Sequence, residues 1–220
     1  MKSKKLNLVT TKTETVLDTA AIIGSVVPWL GGPISNVLNG ITLERKLKRV
    51  HEVIMSVSSN LADFESRASQ DYVQSEEFEE LLEKTLRNVS EEKSERKRAI
   101  YKAFLTNAVR SPRIDEYDIQ VSIINCINNI SIDHLQILKA IQLEPAEIIN
   151  DGADTSPVRT LIARLPDFEE EKIDELLSQL YDMQITLLPS FRKLYTSTSA
   201  IDLRSFLSEF GRRVIDYIIE

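Results

Sequence analysis

The stretch Thr19–Leu43, TAAIIGSVVPWLGGPISNVLNGITL, carries no charged residue, and nothing else in the chain restricts the fold as tightly. As one straight helix it would be about 37 Å long, enough to cross a bilayer. Its middle opposes that. Pro28 removes a backbone donor and clashes with the preceding turn. Gly31-Gly32-Pro33 then supplies two permissive residues and a proline suited to opening a helix. The stretch therefore predicts an apolar hairpin over 19–43: a helix to about Val27, a turn through Pro28–Gly32, and a new helix from Pro33. Neither arm is long enough to span a membrane. Such a hairpin either packs inside the protein or lies in a membrane interface, with Trp29 at headgroup level and basic residues on anionic lipid. Burial is the favoured resting state, because leaving Ile22, Ile23, Val26 and Val27 in water costs about 1.5–3 kcal/mol each. A cleaved signal peptide is disfavoured by the long polar lead-in Lys2–Asp18.

Charge is uneven around this stretch. Residues 1–51 hold eight Lys/Arg against three Asp/Glu, a balance of +5, whereas the remainder of the 220-residue chain stands at −12. Arg45, Lys46, Lys48 and Arg49 follow the apolar stretch directly and make the N-terminal part the candidate for contact with an anionic surface. A single cysteine, Cys126, excludes an internal disulfide framework and fits a reducing setting, so a cytoplasmic location is expected, with membrane association as an option.

Beyond Pro33 the longest helix of the chain is expected. Leu43, Leu47, Val50, Ile54, Val57, Leu61 and Phe64 recur at alternating steps of four and three, a heptad seam that requires a partner. Three heptads are short for an extended coiled coil, so an intramolecular bundle is favoured. If a second copy of the chain is the partner instead, Leu47, Ile54 and Leu61 mark the contact. Ser66–Ser75 reads as a polar break with Ser75 as a helix cap. Phe78, Leu81, Leu82, Thr85, Leu86 and Val89 line one face of the next helix. The charge run Glu91–Arg98 reads as a solvated helix surface, and Ile100, Ala103, Phe104 and Ala108 resume the apolar face. Another helix is marked by Tyr117, Val121, Ile124 and Ile127.

A boundary is expected near Asn129–Ser131, leaving a helical bundle over 1–130 and a smaller domain over 131–220. In the second part Ile132–Ile141, Pro157–Leu165 and Ile173–Leu180 mark short helices, Asp167 with Glu170 suggests a capping box, and Ile185–Leu188 and Phe191–Tyr195 suggest two strands. One last helix holds Leu203, Phe206, Leu207, Phe210, Val214, Ile215 and Ile218.

The words HLQILKAI (His134–Ile141) and LRSFLSEFGRRVIDYI (Leu203–Ile218) resemble the opening and closing helices of a winged helix. The expected fold is thus mainly α, a bundle with a long heptad-striped helix followed by a winged-helix-like α(+β) domain. In DNA-binding winged helices the third helix enters the major groove. Here that helix reads DFEEEKIDELLSQLYD, a face that phosphate would repel. Arg192 and Lys193 in the expected wing do not offset it. From Glu91–Val109 (EEKSERKRAIYKAFLTNAV) to the ending FGRRVIDYI, the chain also resembles the abortive-infection alpha-type family of bacterial proteins. That resemblance implies a phage-defence role and carries no catalytic residues.

Catalytic and cofactor signatures are missing. There is no HExxH, no GxxxxGK[ST], GxGxxG or GxSxG, and no Cys/His/carboxylate set at metal spacing. Of the two histidines, His51 lies beside the seam and His134 opens a helix, both positions that suit surface or capping roles. No cofactor, metal or small-molecule ligand is expected. The reading is a non-enzymatic interaction protein whose partner is another protein, itself or an anionic membrane surface, with Trp29, Leu47, Ile54, Leu61, Arg45, Lys46, Lys48 and Arg49 as contact residues. The alternative is a winged-helix transcription regulator using Arg192 and Lys193.

Overall fold

Ser75, Ser94, Ser131 and Ser208 each accept from a backbone N–H that has no helical partner, and Arg49, Arg98 and Arg164 reach carbonyls at helix ends. A computed structural model describes residues 34, 38, 41, 43–61, 70–110, 116–143, 157–187 and 202–219. Among these the protein is all-α. Its helices are α1 (Glu44–Leu61), α2 (Gln70–Val73), α3 (Glu76–Glu91), α4 (Glu95–Arg110), α5 (Tyr117–Asn129), α6 (Ile132–Gln142), α7 (Pro157–Arg164), α8 (Glu170–Asp182) and α9 (Glu209–Ile218), with a 3-10 turn at Leu203–Phe206. The chain divides into two compact units, Met1–Asn128 with Glu220, and Asn129–Ile219.

In the first unit α1 packs on α4 and α3. Leu47, Val50, Ile54 and Val57 are all buried, joined by Val53 and Ser58. The seam is therefore a broader stripe covered by the chain's own helices, in line with burial at about 1.5–3 kcal/mol per side chain. α3 opens at Ser75, whose Oγ accepts from the Phe78 N–H at 3.2 Å, and Glu76, Glu77 and Glu79 sit favourably at the positive end of the helix dipole. Its face Phe78, Leu81, Leu82, Thr85, Leu86 and Val89 is buried as the spacing predicts. α4 is buried almost all round, through Ile100, Tyr101, Ala103, Phe104, Leu105, Ala108 and Val109.

Several expectations for this unit are corrected. The long helix from Pro33 is interrupted: Ile34 and Leu38 are helical, but Ile41 and Leu43 are not, and α1 starts at Glu44. Leu43, the first residue of the expected seam, is 45% exposed, and its carbonyl instead accepts from the N–H groups of Lys46 and Leu47. The charge run is a corner and not a continuous helix. Residues 92–94 leave α-helical geometry, and Ser94 caps α4 by accepting from the Lys97 N–H at 3.3 Å. The polar break hides α2, whose Tyr72 and Val73 are fully buried. On α5 the buried face is Gln120, Ile123, Ile124, Cys126 and Ile127, rotated away from Tyr117 and Val121.

In the second unit α7, α8 and the 3-10 turn all pack on α6. Ile173, Leu176, Leu177 and Leu180 form the buried face of α8 as expected. Its cap is not the Asp167 box: the N-cap residue is Glu169, with no side-chain capping bond. The single closing helix is also corrected, into a 3-10 turn, a break at Leu207 and α9 capped by Ser208. Among the described residues there is no strand. One antiparallel bridge joins Thr186 to Leu207. Phe191–Tyr195, and with them Arg192 and Lys193, lie outside the described residues, as do Trp29, Phe64 and the first arm of the hairpin.

Candidate functional site

The candidate contact residues separate into interior and surface groups. Leu47 and Ile54 are interior, 2% and 3% exposed, and offer no face to a partner in this state. Leu61 ends α1. Ile34, Leu38 and Ile41, from the second half of the apolar stretch, are also buried. Ile34 joins Ile54, Ser58, Phe78 and Leu105 around a cavity of about 10 Å³, room for a single water at most.

The four basic residues after the stretch have two different jobs. Lys46 forms an ion pair with Glu91, and the Arg49 Nη1 donates to the Ser90 carbonyl at 2.9 Å. From α4, the Arg98 Nη1 donates to the carbonyls of Glu92 and Lys93 at 3.2 and 3.0 Å, while its Nη2 stands 3.7 Å from Glu52. Three cations thus converge on the C-terminal end of α3, where the helix dipole is negative and the last carbonyls lack helical partners. Arg45 and Lys48 project into solvent. The sequence marked all four as one basic cluster; the pairing of two of them depends on α3 lying 41 to 45 residues further along.

Side chains with reactive potential are engaged structurally. Burial pushes the Cys126 thiol up to about 12, which leaves almost no thiolate at neutral pH. Tyr101, on α4, donates to the Asn128 Oδ1, and burial followed by the Glu92 charge raises its phenol to about 12. The Tyr117 hydroxyl donates to Glu80, a bond that raises its phenol to about 12. Tyr72 OH donates to the Gln120 Oε1 at 2.7 Å in the interior, and its ring meets Phe78 edge-on at 5.2 Å. Neither Tyr72 nor Gln120 is among the residues that spacing and motifs single out. A polar residue at the centre of an otherwise apolar helix face was the available signal.

In the second unit Asp202 caps the 3-10 turn, and the Arg204 side chain wrapped on its carboxylate is the main reason that the carboxyl lies below its ordinary range. The Arg164 Nη1 donates to the Ala140 and Leu143 carbonyls at 2.6 and 3.2 Å, closing the C-terminal end of α6. Lys172 pairs with Asp133 at 2.6 Å and lies over the Phe168 ring. The carboxylates of Glu169, Glu170, Glu171 and Glu175 are exposed.

Among the described residues no group of three or more His, Cys, Asp or Glu side chains is placed to hold a metal ion, and no helix is long and apolar enough to cross a membrane. Compared with known proteins, the chain matches no family model, no curated protein and no solved structure.

Proposed function

We propose that this is a non-enzymatic interaction protein whose contact element is the apolar stretch 19–43, of which Ile34, Leu38 and Ile41 are buried. The observation that carries this reading is the inward placement of Ile34, Leu38 and Ile41 next to a first turn of α1 that exposes Arg45 and Lys48. Buried residues of an uncharged segment beside exposed cations suit an exchange between internal packing and an anionic membrane surface. Leu47 and Ile54 serve the internal side of that exchange. The engagement of Cys126, Tyr101, Tyr117 and Asp202 in burial or hydrogen bonds supports a role without chemistry. The resemblance of Glu91–Val109 and Phe210–Ile218 to abortive-infection proteins supports a bacterial, phage-defence setting.

For the second unit, three short helices followed by the Thr186–Leu207 bridge and α9 support a winged-helix-like reading as a protein-binding module. The exposed carboxylates of α8 weigh against duplex DNA as its ligand. Trp29, the only tryptophan, reports on the contact element. Added anionic vesicles should shift its emission to the blue and make it accessible to lipid-embedded quenchers. Arg45→Glu/Lys48→Glu should weaken that response about tenfold or more, at about 1 kcal/mol per basic residue brought to the surface. An emission indifferent to vesicles in wild type, at low salt and in mild denaturant, would refute the membrane exchange. A doubling of mass in light scattering with the same indifference would assign the stretch to self-association.

A further inference from the structure

We infer that Ser58 is a release element: its unpartnered hydroxyl, on the wall of the void beside Ile34, weakens the seat of that side chain, so that the turn carrying Ile34 leaves before the rest of the first unit opens. The inference rests on the proposed exchange of the apolar stretch between internal packing and a surface. Ile34 and Leu38 are both helical and stand four residues apart, and the Ile41 N–H donates to the Leu38 carbonyl at 3.1 Å. All three residues are buried. The seat of Ile34 includes Val57 and Ser58 of α1, Phe78 and Leu82 of α3, and Leu105 and Val109 of α4. Ser58 is 2% exposed, and its Oγ finds no hydrogen-bond partner among the described residues. Other helical hydroxyls of the chain use a carbonyl one turn back: Thr85 donates to Leu81 and Ser122 to Asp118, both at 2.8 Å. Ser58 has no such bond.

A hydroxyl in this position has lost its water without gaining a bond, and that loss is reversed when the seat opens. The void acts in the same direction, because side chains that border a gap miss the contacts that close packing supplies. At about 10 Å³ it admits one water at most, and among the described lining residues only Ser58 has a polar side chain, whereas a buried water needs two or more partners. Water therefore does not repair the defect. Both faults lie at Ile34 and are relieved by its departure. The links nearer the start of α1, Arg49 on the Ser90 carbonyl and Arg98 beside Glu52, do not involve Ile34 and stay closed when it leaves. Departure of the turn is thus easier than unfolding of the unit, and Ser58 sets by how much.

Hydrogen exchange on the full chain tests this. The Ile41 amide reports departure of the turn, and the core amides of α4 report unfolding of the unit. After correction for intrinsic rates, Ile41 should open more readily than α4 in wild type. Ser58→Ala removes the unpartnered hydroxyl and should slow opening at Ile41 about tenfold. Two controls separate the seat from general effects. Ser59→Ala, at an exposed position of α1, brings the same gain in helix propensity and should slow Ile41 less than about threefold. Thr106→Val removes another buried hydroxyl that lacks a partner among the described residues but does not line the void, and should leave Ile41 unchanged. Equal rates at Ile41 in Ser58→Ala and Ser59→Ala would overturn the proposal. So would a Thr106→Val effect at Ile41 as large as that of Ser58→Ala, or an Ile41 amide that opens only with α4. If Ser58→Ala does not fold, Ser58→Cys, close in size and a weak hydrogen-bonding group, takes its place in the same comparison. The emission of Trp29 with anionic vesicles separates this inference from the reading beneath it. Slowing at Ile41 with a vesicle response weakened to match would uphold both. The same slowing, with no vesicle response in any variant, would uphold the role of Ser58 and refute the membrane exchange.

Discussion

The two units are held together by different means. In the first, long helices bury continuous apolar faces, and the connections between distant parts of the chain are made by side chains: Arg49 on Ser90, Tyr72 on Gln120, Tyr101 on Asn128. In the second, helices are short and the closure is made largely by backbone. The α8 C-terminus turns through Gln184 at φ 60°, so that the Gln184 N–H reaches the Tyr181 carbonyl at 2.8 Å and the Ile185 N–H reaches Leu180 at 2.9 Å. This is a Schellman closure, completed by burial of Leu180 and Ile185. The same turn then docks on the start of α9: Ser208 N–H donates to the Ile185 carbonyl at 3.0 Å, Ser208 Oγ to Gln184 at 2.5 Å, and Leu187 N–H to Phe206 at 2.7 Å. Apolar faces tolerate adjustment of shape, whereas a backbone junction at contact distance tolerates almost none.

That contrast can be broken in either unit. The largest effect is expected in the first, where Phe78→Ala removes a ring packed on Tyr72 and lining the cavity with Ile34 and Leu105. It should cost about 4 kcal/mol, read as faster hydrogen exchange across α1, α3 and α4. Loss of protection confined to α6, α8 and α9 would refute the assignment of Phe78 to the first core. In the second unit the smallest possible side-chain addition should do nearly as much. A Cβ on Gly211 would lie 2.0 Å from the Ile185 carbonyl oxygen, a backbone atom that cannot swing aside. Gly211→Ala should cost about 3 kcal/mol, measured by urea denaturation with exchange locating the loss in α8 and α9. A neutral Gly211→Ala would mean that the junction is loose and the contrast false.

Two smaller changes sharpen the comparison. Ser75→Ala deletes the α3 cap and should lower stability by about 1 kcal/mol, with the first amides of α3 exchanging faster and the α6 amides unchanged. Gln184→Gly should act in the opposite direction. It relieves a side chain of left-handed geometry and should add about 0.5–1 kcal/mol to the second unit, seen as a higher urea midpoint. A lower midpoint would show that the Gln184 side chain contributes more than its backbone strain costs.

Periodicity and caps were sufficient for much of the architecture. The faces of α3 and α8, the cap Ser75, and the start of α7 at Pro157 all follow from residues within one or two turns of each other, the range over which helical geometry is decided. The same local signals misplaced features that depend on distant neighbours. Gln120 sits on a buried face because Tyr72, 48 residues away, supplies its partner. The Leu203–Ile218 periodicity looks unbroken, yet Leu207 leaves helical geometry to pair with Thr186 and make room for the Ile185 junction.

The candidate site shows the same division. Local spacing was enough to mark an apolar stretch followed by four cations, and a seam that needed covering. Only tertiary structure decided that α3 and α4 do the covering, that Lys46 and Arg49 are used on α3 while Arg45 and Lys48 remain outside, and that the glycine at 211 is required. The physical reason is range. Helix propensity and capping act over three or four residues, whereas burial, ion pairing and close backbone approach are settled by whichever distant segment arrives at the same place.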